Sequence, residues 1–248
     1  MSRSQTESIR EFILDRVADS PRSVAREVAL AYRISRQAAN RHLDVLVEAG
    51  MLDQDGYTRS REYRLRQTSL LNREIRVTPV LNPDRLWDDH IALVLADDRV
   101  PVRDLCRGAF AEVLGNVIAH AHASWVTISF ATTARDIDVA LADDGAGIFH
   151  RVGERLALPG PRATAELMSR HANARSTDFP ASRLVLLGRN FDSFVISSAG
   201  VALVFDAARE AWELRDDDVV KGTRIAMRLR RNTLPRAIVS KLTASIGR

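Results

Sequence analysis

The stretch from Val102 to Ile148 constrains the fold more than any other part of this chain. A helical segment from about Val102 to Ala121 carries Glu112, Asn116 and His120 at i, i+4 and i+8, so the three share one face. A helix that only packs against a core has no need of such a row. Ser124 to Phe130 and Asp136 to Ala142 then alternate as paired strands do, and they deliver the chain into Asp143-Asp144-Gly145-Ala146-Gly147-Ile148. Each piece alone has an ordinary reading, Glu112 as a solvated helix-face acid and the acid-glycine turn as a surface connection. Their order, polar-faced helix, hairpin, glycine turn, is what carries information.

That stretch occupies less than a quarter of the chain, and 248 residues leave room for two domains with a core each. An apolar fraction of 46% with 27% charged residues excludes a disordered or disulfide-rich class. The single cysteine, Cys106, permits no intrachain disulfide, and no Cys/His spacing suggests zinc. Met1 to Arg10 is polar, unlike a signal peptide, and no apolar run approaches the roughly 18 to 20 residues that span a bilayer, so a cytoplasmic protein without membrane contact is expected. The net charge of +4 decides nothing by itself. Its distribution does, because Arg33, Arg36, Arg41, Arg59, Arg61, Arg64 and Arg66 crowd two short windows near the N-terminus.

Those windows lie in a region of helical periodicity. Ile9, Ile13, Leu14 and Val17 predict a first helix over Ser4 to Asp19, and Val24 to Tyr32 a second. After a short turn, Ser35 is placed to cap a third helix over Arg36 to Ala49, with Ala39, Leu43, Leu46 and Val47 inward and Arg36, Gln37, Asn40 and Arg41 projecting from its first turns. Met51 to Arg66 reads as a two-stranded ribbon turning at Asp55-Gly56, with Tyr57, Arg59, Arg61, Tyr63 and Leu65 alternating along one face. Three helices and a basic hairpin, with "SRQAANRHLDVLVEAGMLDQDG" as recognition helix and start of the ribbon, resemble the winged helix-turn-helix family. The implied partner is double-stranded DNA: a capped helix entering the major groove carries Arg, Gln and Asn to base edges, and Arg59 and Arg61 lie near phosphates. A small helical domain for dimerisation or protein binding is the other reading.

Gln67 to Arg76 is polar and reads as a linker, although Glu74 to Val80 also suits a first strand of the next domain. Pro83 to Ala96 reads as a helix on which His90 is an ordinary histidine. The run "EVLGNVIAH" resembles the N box of the GHKL ATPases (gyrases, heat-shock chaperones, histidine kinases, mismatch-repair proteins), and its spacing is most similar to that of anti-sigma-factor serine kinases. "DDGAGI" resembles the family's first glycine box. The resemblance implies ATP and Mg²⁺ as ligands. Asn116 would hold Mg²⁺ through its amide oxygen, a hard ligand for a hard cation, and Glu112, one turn earlier, is the candidate general base. His120 joins the site on the same face. Asp143 would accept a hydrogen bond from the adenine amino group, and Gly145 and Gly147 would let the backbone pass close to the nucleotide.

Phe149 to Pro180, with one helical patch near Ala163 to Arg170, stands where the family has its ATP lid. Ser182 to Phe191 reads as a helix whose N-terminus could receive phosphates. The second glycine box departs from the family: "FPASRLVLLG" puts Ala181 and Arg183 where small flexible residues belong, which implies direct phosphate contact by Arg183 or an altered pocket with slow or absent hydrolysis. Ser193 to Ser198, Val201 to Phe205, Ala211 to Leu214 and Thr223 to Leu229 read as strands. Gly222-Thr223 resembles the last site box, in which the Thr hydroxyl holds the adenine-binding Asp; Thr223 reads equally as a β-branched strand residue.

The expected architecture is therefore α+β: a winged helix over residues 1–68, a GHKL (Bergerat-type) α/β sandwich with a mixed sheet over 74–232, and a C-terminal tail over 233–248. The expected function is an ATP-binding, DNA-binding transcription regulator, dimeric by analogy with both families, whose nucleotide state modulates DNA binding and whose ATPase activity, if any, is slow. Two alternatives accompany it: an anti-sigma-type protein serine kinase that docks a protein partner through the winged helix, and an interaction protein with a decayed nucleotide pocket.

Overall fold

The computed structural model of the protein describes residues 3–57, 60–219 and 221–232. The tail expected over 233–248 and the ribbon residue Arg59 lie outside them. The chain divides into two compact units, one of Met1–Ser69 with Thr132–Asp136 and one of Leu70–Ala131 with the chain from Ile137 onward.

The first unit packs three helices, α1 (Arg3–Arg16), α2 (Val24–Tyr32) and α3 (Arg36–Glu48), with an antiparallel ribbon of β1 (Leu52–Asp55) and β2 (Glu62–Leu65). Ile9, Ile13, Val17, Val24, Val28, Ala39, Leu43, Leu46, Leu52 and Tyr63 form one buried cluster. Each large apolar side chain there contributes about 1.5–3 kcal/mol of transfer free energy, and together they hold the small helices in place. Arg33 ends α2 in the left-handed conformation (φ 53°), and the Ser35 side chain accepts the Ala38 amide at 3.1 Å, so a three-residue turn joins α2 to α3. The ribbon departs from its reading. Leu52 pairs with Leu65 and Asp55 with Glu62, so the chain turns away after Asp55-Gly56 and the second strand begins only at Glu62, with Tyr57 and Arg61 outside both strands. Tyr57 is exposed and Tyr63 is buried, so the expected single face does not exist; the Tyr63 amide bonds to the Pro21 carbonyl and its ring joins the core.

The second unit is a seven-stranded sheet under a layer of helices. In sequence it comprises β3 (Gln67–Arg76), α4 (Pro83–His90), α5 (Val100–His120), β4 (Trp125–Thr133), β5 (Asp136–Asp143), α6 (Ile148–Arg155), α7 (Pro161–Asn173), α8 (Ser182–Gly188), β6 (Ser193–Ser198), β7 (Val201–Asp206), β8 (Ala211–Asp216) and β9 (Thr223–Arg230). The strand order is β3-β4-β5-β9-β6-β7-β8. The protein is thus mixed α and β, but its large sheet is antiparallel, not mixed: β9, β6, β7 and β8 pair antiparallel, and Asp143 meets Thr223 while Asp138 meets Arg228, so the end of β5 lies against the start of β9. The expected linker over Gln67 to Arg76 is the edge strand β3 itself, almost wholly solvent-facing, which is why it reads as polar. Phe110, Phe130, Phe149, Phe194 and Phe205 anchor the core between sheet and helices. Among the described residues no helix is long and apolar enough to cross a membrane.

Candidate functional site

Helix α5 buries Val102, Leu105, Cys106, Ala109, Phe110, Val113, Leu114 and Val117 against the sheet. The remaining face carries the polar row. Glu112 and Asn116 are half-buried and His120 is exposed. The Asn116 Nδ2 donates to the Glu112 carbonyl at 2.9 Å and lies 3.5 Å from Glu112 Oε1, which leaves Asn116 Oδ1 as the oxygen without a hydrogen bond among the described residues.

The antiparallel pair β4–β5 brings Asp143 and Asp144 to the end of this helix, and the two acids do different work. Asp144 Oδ1 accepts the amides of Ser124 and Trp125 at 2.8 and 2.9 Å, bonds that hold its carboxyl below the usual range and pin the glycine turn to the start of β4. Asp143 is buried. Its Oδ1 accepts the Gly145 amide at 2.9 Å and the Thr223 amide at 3.3 Å. Burial raises its carboxyl above the usual range despite these two bonds, and the neighbouring Asp144 charge acts in the same direction as burial. Asp143 Oδ2 has no partner among the described residues, so a ligand N–H is the partner that would favour the ionised form.

The backbone around Asp143 is packed too closely for side chains. Gly222 has φ 71°, and a Cβ there would lie 1.8 Å from the Asp143 carbonyl oxygen. Gly147 has φ 84°, and a Cβ there would meet Ser198 Oγ at 2.5 Å. Ser198 Oγ donates to the Gly222 carbonyl at 2.7 Å, and the Ala146 amide donates to the Ala121 carbonyl at 2.9 Å, so α5, the glycine turn, β6 and β9 meet at one knot. Thr223 contributes differently from its reading. Its amide, not its hydroxyl, holds Asp143, while Oγ1 accepts the Ile148 amide at 2.9 Å and so satisfies the first turn of α6.

A cavity of ≈ 590 Å³ opens above this knot, within the range of small-molecule sites. Asn116, His120, Asp143, Gly147 and Thr223 line it; Gly145 adjoins it through Asp143, and Glu112 and Arg183 stand just beyond its lining. Val113, Val117, Ile148, Val152, Leu184 and Ile225 supply apolar wall. Arg151, Glu154 and Arg155 complete it from α6. Arg151 pairs with Glu154 at 2.9 Å, whereas Arg155 has no ion-pair partner among the described residues. The sequence reading passed over these three; the i, i+4 spacing of Arg151 and Arg155 directly after the glycine turn was the available signal. Ser198 carried no signal, because only the fold brings it to Gly222.

The region read as a lid with one helical patch contains two packed helices. Asn173 at the end of α7 exchanges two bonds with the Trp212 backbone on edge strand β8, at 2.8 and 3.0 Å, and the buried Arg189 donates to the Ala172 and Glu210 carbonyls. The helix after them is shorter than expected, Ser182–Gly188, and its first amide already donates to the Phe179 carbonyl, so it offers less of an anion site than its sequence implied. Ala181 precedes it in the left-handed conformation (φ 66°, ψ 10°), a geometry natural to glycine, and this alanine stands where the family resemblance expects one. Arg183 Nη2 lies 3.0 Å from Glu112 Oε2.

In the first unit, Arg36, Gln37 and Arg41 are exposed on the first turns of α3, with Asn40 half-buried beside them. Arg61 is less available than its sequence suggested, since its guanidinium donates to the Tyr63 hydroxyl at 3.2 Å and approaches Asp44 at 4.0 Å.

No protein-family model matches the chain, and no curated protein matches it. Among solved structures the chain is similar to Pseudomonas aeruginosa HmgR at 16% identity over 97% of this chain and 94% of that chain, with a TM-score of 0.24, a likeness that carries no argument about fold or function.

Proposed function

We propose that this protein binds Mg-ATP in the cavity of its second unit and double-stranded DNA through α3 and the ribbon of its first, and that it regulates transcription in the cytoplasm as a homodimer whose nucleotide state alters DNA affinity. The observation that carries the ATP half is Asp143: a buried, cavity-lining carboxylate with one oxygen bonded by two amides and the other without a partner among the described residues suits a purine amino donor. Apolar walls suit the base, and His120, Arg151 and Arg155 suit an anionic tail. Asn116 fits the magnesium role, because its amide nitrogen is spent on the Glu112 carbonyl and its oxygen is not. Bound there with phosphate oxygens, Mg²⁺ would neutralise charge on the tail. Glu112 is the general base of this reading, and any hydrolysis is slow; without ligand its carboxylate pairs with Arg183.

The DNA half rests on the capped helix α3, which presents Arg36, Gln37 and Arg41 to solvent with no competing ion pair among the described residues. Regulation follows if ATP binds two conformations with different affinity, in which case DNA and ATP affinities change by a common factor. Titrating labelled duplex DNA with protein, with and without Mg-ATP, measures that factor. Arg36→Ala with Arg41→Ala is expected to weaken binding and flatten the fall of log affinity with log salt, by about 0.9 for each of the two that meets a phosphate. An unchanged slope would remove α3 as the contact face.

A further inference from the structure

Glu112 is engaged on both sides. One carboxylate oxygen faces Asn116 Nδ2 at 3.5 Å and the other pairs with Arg183 Nη2 at 3.0 Å. The two partners of that ion pair are unequal: the Glu112 side chain keeps 18% of its exposure and the Arg183 side chain 53%. The arginine is therefore the one free to move. It also sits two residues beyond Ala181, whose left-handed backbone sets the path of α8 along the cavity wall formed by Pro180, Ala181 and Leu184.

On the ATP reading, the direction of the polar row sets which end of the nucleotide lies there. The Ala146 amide ties the glycine turn to the Ala121 carbonyl, so the His120 end of α5 is the end beside Asp143. Eight residues at about 1.5 Å each place Glu112 roughly 12 Å further back along the helix axis. A nucleotide anchored by its base at Asp143 and led past His120 and Asn116 presents its distal phosphate, not its base, to Glu112 and Arg183.

We propose that Arg183 is a latch that senses the terminal phosphate: without nucleotide it pairs with Glu112, and a triphosphate takes the guanidinium from the carboxylate, leaving Glu112 free. The inference rests on the ATP reading above and adds to it a residue that separates ATP from ADP. No bond is made or broken; the exchange is one charge-assisted hydrogen-bonded pair for another, favoured because phosphate oxygens present more acceptors to the guanidinium fork than the single Glu112 oxygen it now reaches.

Calorimetric titration of the full chain with Mg-ATP and Mg-ADP, as wild type, Arg183→Gln, Glu112→Gln and the double variant, tests the latch. Arg183→Gln is expected to weaken ATP by roughly 10-fold and ADP by less than about 3-fold. Glu112→Gln is expected to tighten ATP by about 3-fold or more, since the guanidinium no longer has to be released, and the gain disappears when Arg183 is also replaced. Equal losses of ATP and ADP in Arg183→Gln would overturn the proposal. So would a Glu112→Gln gain as large or larger without Arg183, because that is the signature of plain repulsion between carboxylate and phosphate. If ATP binds and Asp143→Ala abolishes it while this cycle shows no coupling, the site stands and the latch falls; absence of ATP binding by the wild type removes both.

Discussion

The two sides of the cavity are built by opposite means. The floor around Asp143 is a backbone construction: amides of Gly145 and Thr223 on one carboxylate oxygen, and glycines packed so close to the carbonyls of Asp143, Ala121 and Gly222 that no side chain fits. The side formed by α6 and α8 is a side-chain construction: Arg151, Glu154, Arg155 and, beyond them, the Arg183–Glu112 pair, most of them reachable by solvent. A floor of this kind tolerates almost no change because its distances are set by main-chain packing. A wall of charged side chains can be rearranged by a ligand at small cost, since each exposed pair is worth about 0–1 kcal/mol. A ligand seated here would be positioned by the floor and answered by the wall.

The sharpest way to break this contrast is Gly222→Ala. Its Cβ would lie 1.8 Å from the Asp143 carbonyl at a positive φ, so strand β9 has to shift; a loss of about 3 kcal/mol or more is expected, read as a fall in denaturant midpoint together with loss of nucleotide binding. A variant that melts like the wild type would show that the floor is not built as tightly as described. At the other extreme, Ala181→Gly relieves a left-handed alanine and is expected to raise stability by up to about 1 kcal/mol, part of the gain being offset by the freer unfolded chain. Thermal melting distinguishes this from destabilisation, which would mean that the alanine is not strained.

The same contrast explains what could be read from the sequence. Helix α5, the β4–β5 pair and the acid-glycine turn were legible because the 3.6 and 2 periodicities are strong there and the turn follows at once. The four C-terminal strands were legible for the same reason, each a short β-rich run between turn residues. Helix α6 was not, because among its eight residues only Phe149, Val152 and Gly153 are buried and the rest are mostly charged or polar. Strand β3 hid as a linker because an edge strand with one weakly covered face lacks the alternation that marks a half-buried strand. The strand direction of β5 against β9 and the pairing of Glu112 with Arg183, 71 positions apart, are tertiary facts with no local signature. Asp55-Gly56 does stand at the turn, Gly56 following β1 at φ 75°, but β2 starts only at Glu62, and nothing local in the sequence marked that later start.

The central claim is a nucleotide site founded on Asp143, and calorimetric titration with Mg-ATP of the wild type beside Asp143→Ala addresses it most directly. The account predicts saturable binding by the wild type and a loss on the order of 100-fold in the variant, the scale of a buried charge-assisted hydrogen bond, with the variant still folded by circular dichroism. Equal affinity in both proteins, or no binding by the wild type, would contradict it.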